Sequence, residues 1–263
     1  METTALFLIC TFVILIVSLF GAFAPMVVRG TDKQMHQMIA FSAGVFLGIL
    51  FLILLPEAIN ESGAATVGGD YDLMDVMYVV IVGFLIMFVV DFLLKHYSKA
   101  DCDCEECQEY HSHEVTSISA FISLAIHASL DGLALGAAFL IGNNVGFMLL
   151  VALCLHKGAE VFSLSSTFLL AGKRKMARIY MTVFCFITPV AAIITYLSMV
   201  TVESGLIGLA FAFSAGVFMF VTMMHMIPEA FHRKNIDFRS LALLLFGLII
   251  VVIVVLLMGQ DAL

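Results

Sequence analysis

Two histidine–carboxylate pairs carry the most chemistry in this chain: His127 with Asp131 in HASLD, and His156 with Glu160 in HKGAE. Each pair is four residues apart, a spacing that stacks both side chains on one helix face, one turn apart. Between the pairs lies Gly142-Asn143-Asn144-Val145-Gly146, a short turn that predicts two antiparallel neighbouring helices. Positions 127 and 160 share their midpoint with 131 and 156, and that midpoint falls within the turn. His127 is therefore expected level with Glu160, and Asp131 level with His156. At a rise of about 1.5 Å per residue, both layers fall roughly 19–25 Å from the turn. That is near the middle of a hydrocarbon layer about 30 Å thick. Two imidazoles and two carboxylates at one depth make a ligand set for a divalent cation. Mixed nitrogen and oxygen ligands suit zinc, ferrous iron or manganese without choosing among them.

A lone buried histidine is more often a packed core residue than a ligand. Here, with Lys157, five ionisable residues share two adjacent apolar segments. Each costs roughly 2.5–3.5 kcal/mol in a membrane interior even on lenient insertion scales, so a ligand or partner must compensate them. Lys157 needs an anion, and Asp131 and Glu160 are the candidates. With all three charged the empty site carries −1, and a divalent ion makes it +1, which favours release.

The elements that must position these groups are membrane helices. The 263 residues are 62% hydrophobic and 12% charged, with a mean hydropathy of +1.12. The apolar runs are too long for a soluble core, and they lack the strict alternation of an outer-membrane barrel. Eight spans are expected, near 5–28, 35–59, 74–95, 116–141, 146–171, 177–201, 205–231 and 239–258, giving an all-α polytopic transmembrane domain over 1–263. Ala22-Phe23-Ala24 resembles a signal-cleavage site, but the leader has no basic start and carries Glu2, so it reads as span 1. Eleven of the twelve basic residues fall on one side of the spans, and the twelfth is Lys157. By the positive-inside rule both termini face the outside or a lumen. The net charge of −8 lies mostly in loops, and no basic patch with aromatics supports nucleic-acid binding.

Span 2 reads AFSAGVFLGILFLILLPEA over 40–58, and span 7 reads AFSAGVFMFVTMMHMIPEA over 212–230, with ten of nineteen positions identical at a constant offset of 172. The copies are five spans apart, so they cross in opposite directions. An inverted repeat follows, spans 1–3 against spans 6–8, a common plan of secondary transporters. Ser42, Ala43, Gly44 and Gly48, with Ser214, Ala215 and Gly216, are small enough for close helix contact. Glu57, near Asp72 and Asp75, falls at the outer end of span 2 and can collect cations. His225 and Glu229, with Asp91 and His36, fall towards the inner end and can pass them on. The loop expected over 96–115 is polar enough to be disordered, and carries Cys102, Cys104, Cys107, His111 and His113, a possible transient metal site. Cys10, Cys154 and Cys185 lie in spans, as packing residues.

HASLDGLALG in span 4, HKGAEVFSL in span 5 and the AFSAGV…LLPEA stretch of span 2 together resemble the ZIP family of zinc and iron transporters, in its eukaryotic form. The resemblance covers essentially all eight spans. It implies a 3+2+3 arrangement, uptake of divalent metal into the cytosol, homodimers, and a main site lined by His127, Asp131, His156 and Glu160. Zinc, Fe2+, Mn2+ or Cd2+ would be substrate, with no organic cofactor and no enzymatic step. Many relatives hold a second metal beside the first. Here its ligand positions read Ala128, Lys157 and Thr188, so a single-metal site is expected with an ammonium where the second cation would be. Rival readings are an intramembrane zinc metallohydrolase, for which no nucleophile or general base stands out, and a metal-sensing receptor in the same fold.

Overall fold

The structure, a computed structural model, describes residues 2–27, 32–64, 71–97, 105–170, 172, 174–198, 204–231 and 238–258. At 2, 32, 105–116, 141, 144, 145, 148, 152, 155, 156, 204, 257 and 258 it describes the backbone alone. The described residues contain helices and no strand. In chain order these are α1 (Glu2–Val27); α2, made of Asp32–Ile49, a π-helical turn Leu50–Leu54 and Leu55–Glu61; α3 (Leu73–Tyr97); α4 (Glu105–Ile141); α5 (Asn143–Leu170); α6 (Arg174–Ser198); α7, made of Ser204–Phe220, a π-helical turn Val221–Met226 and Ile227–Ala230; and α8 (Phe238–Met258). Among the described residues, seven helices, α1–α4 and α6–α8, are long and apolar enough to cross a membrane. The segment α5 is 28 residues long, about 42 Å at helical rise, and carries the ionisable residues at its middle. The chain is thus an integral, multi-pass membrane protein.

Burial sorts the helices into an inner and an outer set. The span windows of α7 and α2 are 67% and 61% buried, whereas those of α3 and α8 are 28% and 22% buried. The outer helices accordingly expose Tyr78, Leu85, Phe92, Phe246 and Ile253, the surface a bilayer solvates. The outer helices come close because small residues face backbone. A Cβ at Gly44 of α2 would collide with the Leu244 carbonyl of α8, and one at Gly216 of α7 with the Val80 carbonyl of α3.

The two π-helical turns have a local cause. Proline lacks an N–H and its ring crowds the carbonyl four residues back, which disturbs the ladder ahead of it, although Pro25 in α1 and Pro189 in α6 are passed without a π-helical turn. Ahead of Pro56 the ladder widens to five residues, with the Leu55 N–H donating to the Leu50 carbonyl. Ahead of Pro228 the Ile227 N–H donates to the Thr222 carbonyl. This keeps α2 and α7 unbroken past their prolines.

Two connections differ from the sequence expectation. The backbone is already helical from Glu105, so residues 105–115 are not loop but the first turns of α4. Glu105, Glu106 and Glu109 lie near the positive end of the helix dipole, which favours that start. Between α4 and α5 the turn shrinks to Gly142, because its N–H still bonds the Ala138 carbonyl and its carbonyl accepts the Gly146 N–H, both at 3.0 Å. Gly146 has no Cβ, which leaves room for the Phe139 ring.

Candidate metal site

Packed against one another, α4 and α5 bring Asp131 beside Lys157 and His127 near Glu160, the antiparallel register expected from the turn. Ligand atoms of His127, Asp131 and Glu160 all lie within 4.8 Å of one another. His127 Nε2 is 3.6 Å from Asp131 Oδ1. A tetrahedral ion with bonds near 2.0–2.1 Å needs ligand atoms roughly 3.4 Å apart, so this edge has the required size and Glu160 has a short way to close. His127 and Glu160 are fully buried, and Asp131 is 2% exposed. His156 sits one helical turn before Glu160 on α5, and its side chain lies outside the described residues.

Lys157 fills the neighbouring space. Its Nζ lies 3.2 Å from Asp131 Oδ2 and 2.8 Å from Glu160 Oε2, and 5.4 Å from the centroid of the Phe184 ring on α6. The contact with Glu160 is an ion pair at hydrogen-bond distance, and Glu160 Oε1 has no hydrogen-bond partner among the described residues. Asp131 thus gives one oxygen to the ammonium and turns the other to His127, and Glu160 gives its Oε2 to the ammonium. The other two positions named for a second metal are occupied by helix packing. Thr188 Oγ1 of α6 donates to the Ala128 carbonyl at 2.9 Å, and Gly132 lets the Thr188 backbone approach α4.

One residue of the site escaped the sequence reading. Ser214 Oγ on α7 hydrogen-bonds His127 Nδ1, and both side chains are buried. A partner on Nδ1 fixes the ring and directs Nε2 at the carboxylates, the usual arrangement around a metal-binding histidine. The Phe218 ring, one turn further along α7, backs the imidazole at 4.7 Å. In the sequence Ser214 was legible only as a small residue in a packing motif.

Roughly 12 Å along α4 from His127 lies a second polar cluster. His225 Nε2 of α7 is 3.4 Å from Asp91 Oδ1 of α3 and 3.4 Å from Ser119 Oγ of α4. Asp91 Oδ2 is paired with Lys95 at 2.8 Å. Glu229 also faces His36 of α2, at 3.7 Å. At the other end of α2, Glu57 is half-buried just after Pro56. Of its acidic neighbours in sequence, Asp75 accepts the Asp72 backbone N–H at 3.0 Å, an N-terminal cap of α3. Cys102 and Cys104 lie outside the described residues, and so do the side chains of Cys107, His111 and His113. Cys10, Cys154 and Cys185 are free thiols, packed in buried or half-buried positions.

Comparison with known proteins gives one answer. A family model described as ZIP Zinc transporter matches residues 4–107 and 99–255. Zinc transporter ZIP9-A of Xenopus laevis is 27% identical over 241 residues, covering 78% of each chain. Zinc transporter ZIP9 of Micropogonias undulatus is 26% identical over 249 residues, also 78% of each. Zinc transporter ZIP1 of Danio rerio is 29% identical over 147 residues, 52% of this chain and 46% of its own.

Proposed function

This chain belongs to the ZIP zinc transporter family, and on that premise we propose that it carries zinc from the outside or a lumen into the cytosol through a single-metal site. The observation that carries the reading is the buried His127–Asp131–Glu160 cluster with its ligand atoms within 4.8 Å. Lys157 offsets one of the two carboxylate charges, an uncompensated charge at membrane depth is costly, and this cluster has the donor types and spacing for one divalent ion. His156, one turn from Glu160, is the expected fourth ligand. Lys157 holds the position of a second cation, which supports one metal at a time.

Alternating access through an inverted repeat accounts for the helix contacts. At the offset of 172, the Leu55→Leu50 π bond of α2 corresponds to Ile227→Thr222 of α7. Gly44 meets Leu244 and Gly216 meets Val80; Gly247 meets the Phe41 carbonyl and Gly83 the Phe213 carbonyl. On α3 and α8 the corresponding residues are shifted by 164, from 80 to 244 and from 83 to 247. Contacts that map onto one another in this way support a 3+2+3 plan of eight spans in which α1–α3 mirror α6–α8. The excess of basic residues after α1, α3, α5 and α7 supports outward-facing termini. Metal then enters past Glu57 and leaves past His225, Asp91 and Glu229 to the basic side. The family resemblance adds a homodimer.

The test is zinc entry into liposomes holding the purified protein, read by a trapped fluorescent chelator, with Fe2+ and Mn2+ alongside. His127→Ala and Glu160→Ala abolish entry if the cluster is the transport site. Tight zinc binding without entry by the wild type sinks the transporter reading in favour of a sensor. Lipid or peptide turnover lost in His156→Ala favours the hydrolase.

A further inference from the structure

Among the described residues Lys157 is the only Lys or Arg that is fully buried, and it touches both carboxylates of the metal cluster. It does not close the site. Asp131 Oδ2 and Glu160 Oε2 face the ammonium as ion pairs, Asp131 Oδ1 faces His127, and among the described residues Glu160 Oε1 has neither an ion-pair nor a hydrogen-bond partner. Ammonium and metal can therefore sit on opposite oxygens of the same two carboxylates. The Phe184 ring at 5.4 Å gives the ammonium an aromatic face besides the two carboxylates.

A carrier that delivers metal in one direction must also reorient empty. The cost of keeping charge away from water scales with the square of that charge. With Lys157, and both imidazoles neutral, the empty site carries −1 and the loaded site +1, so the two forms meet similar barriers. Without Lys157 they would carry −2 and 0, an easy loaded passage and a prohibitive empty one. Resting on the transport reading above, we propose that Lys157 is a resident counter-cation whose task is the return of the empty carrier. Its ammonium travels with Asp131 and Glu160 in place of a second metal.

Net uptake requires the empty return, whereas exchange of metal for metal does not, so the ratio of the two isolates this step. The experiment uses purified full-length protein in liposomes at zero membrane potential. Radiolabelled zinc uptake is measured into metal-free vesicles and into vesicles preloaded with unlabelled zinc. Lys157→Met and Lys157→Gln are expected to lower the ratio of net uptake to exchange at least tenfold. Lys157→Arg, which keeps the charge, leaves that ratio within about threefold of wild type. The ratio does not depend on how much protein inserts in active form. An unchanged ratio in Lys157→Met and Lys157→Gln overturns the proposal. So does loss of both modes together in all three variants, which would make Lys157 necessary for loaded passage. Absence of both modes in the wild type would instead remove the transport reading itself.

Discussion

Replacing Ser214 by alanine tests whether the His127 ring is set for metal from outside the cluster. Ser214 is 1% exposed and supplies the partner of His127 Nδ1. For Nε2 to bind metal, a neutral ring must carry its proton on Nδ1, and that N–H then donates to Ser214 Oγ. In the empty site of Ser214→Ala the ring can change tautomer and avoid a stranded donor. Metal on Nε2 removes that freedom, so the penalty falls on the bound state. A buried donor left without an acceptor costs about 1–3 kcal/mol. At about 1.4 kcal/mol per tenfold, that is a zinc affinity weaker by roughly 5- to 140-fold, in line with the 10- to 100-fold typical of lost outer-shell partners. The assay is chelator-competition titration of the purified protein, alongside uptake kinetics. KM is expected to rise by the same factor while the maximal rate is held or increased. Ser214→Thr restores the hydroxyl and should recover most of the affinity. Zinc affinity in Ser214→Ala within twofold of wild type would refute the reasoning.

Gly216→Val forces a side chain into the Val80 backbone and should lower stability by at least about 1–3 kcal/mol, seen as a lower Tm in detergent. Gly142→Ala, whose Cβ meets nothing within 4 Å, should leave Tm unchanged. His225→Ala should reduce the maximal uptake rate several-fold while zinc affinity stays within twofold, because His225 lies about 16 Å along α7 from Ser214. Lys157→Met leaves two buried carboxylates without their cation, so its metal-free Tm should fall and added zinc should raise it by more than in wild type.

How much of this was legible in sequence follows from which interactions are local. Hydropathy over some twenty residues marks a span, and the identity of AFSAGVF and PEA in α2 and α7 marks a repeat, whatever the fold around them. His127-x3-Asp131 shares a face because helical periodicity requires it, and the short turn at Gly142 sets the pairing with Glu160. Even Lys157 named its partners, since no other anion lies within two turns of it. The failures were at element ends: residues 105–115 read as polar loop, yet their glutamates begin a helix.

What tertiary structure alone decided is the meeting of side chains from helices far apart in the chain. Ser214 reaches His127 across 87 positions and His225 reaches Asp91 from α7 to α3, and no spacing rule connects them. Such contacts depend on how far each helix is rotated about its own axis, where one residue amounts to about 100°. That rotation is fixed by packing, as where Gly216 and Gly44 let α7 and α2 settle against the backbones of α3 and α8. The local pattern supplied the ligands. Packing decided which oxygen each carboxylate gives to Lys157.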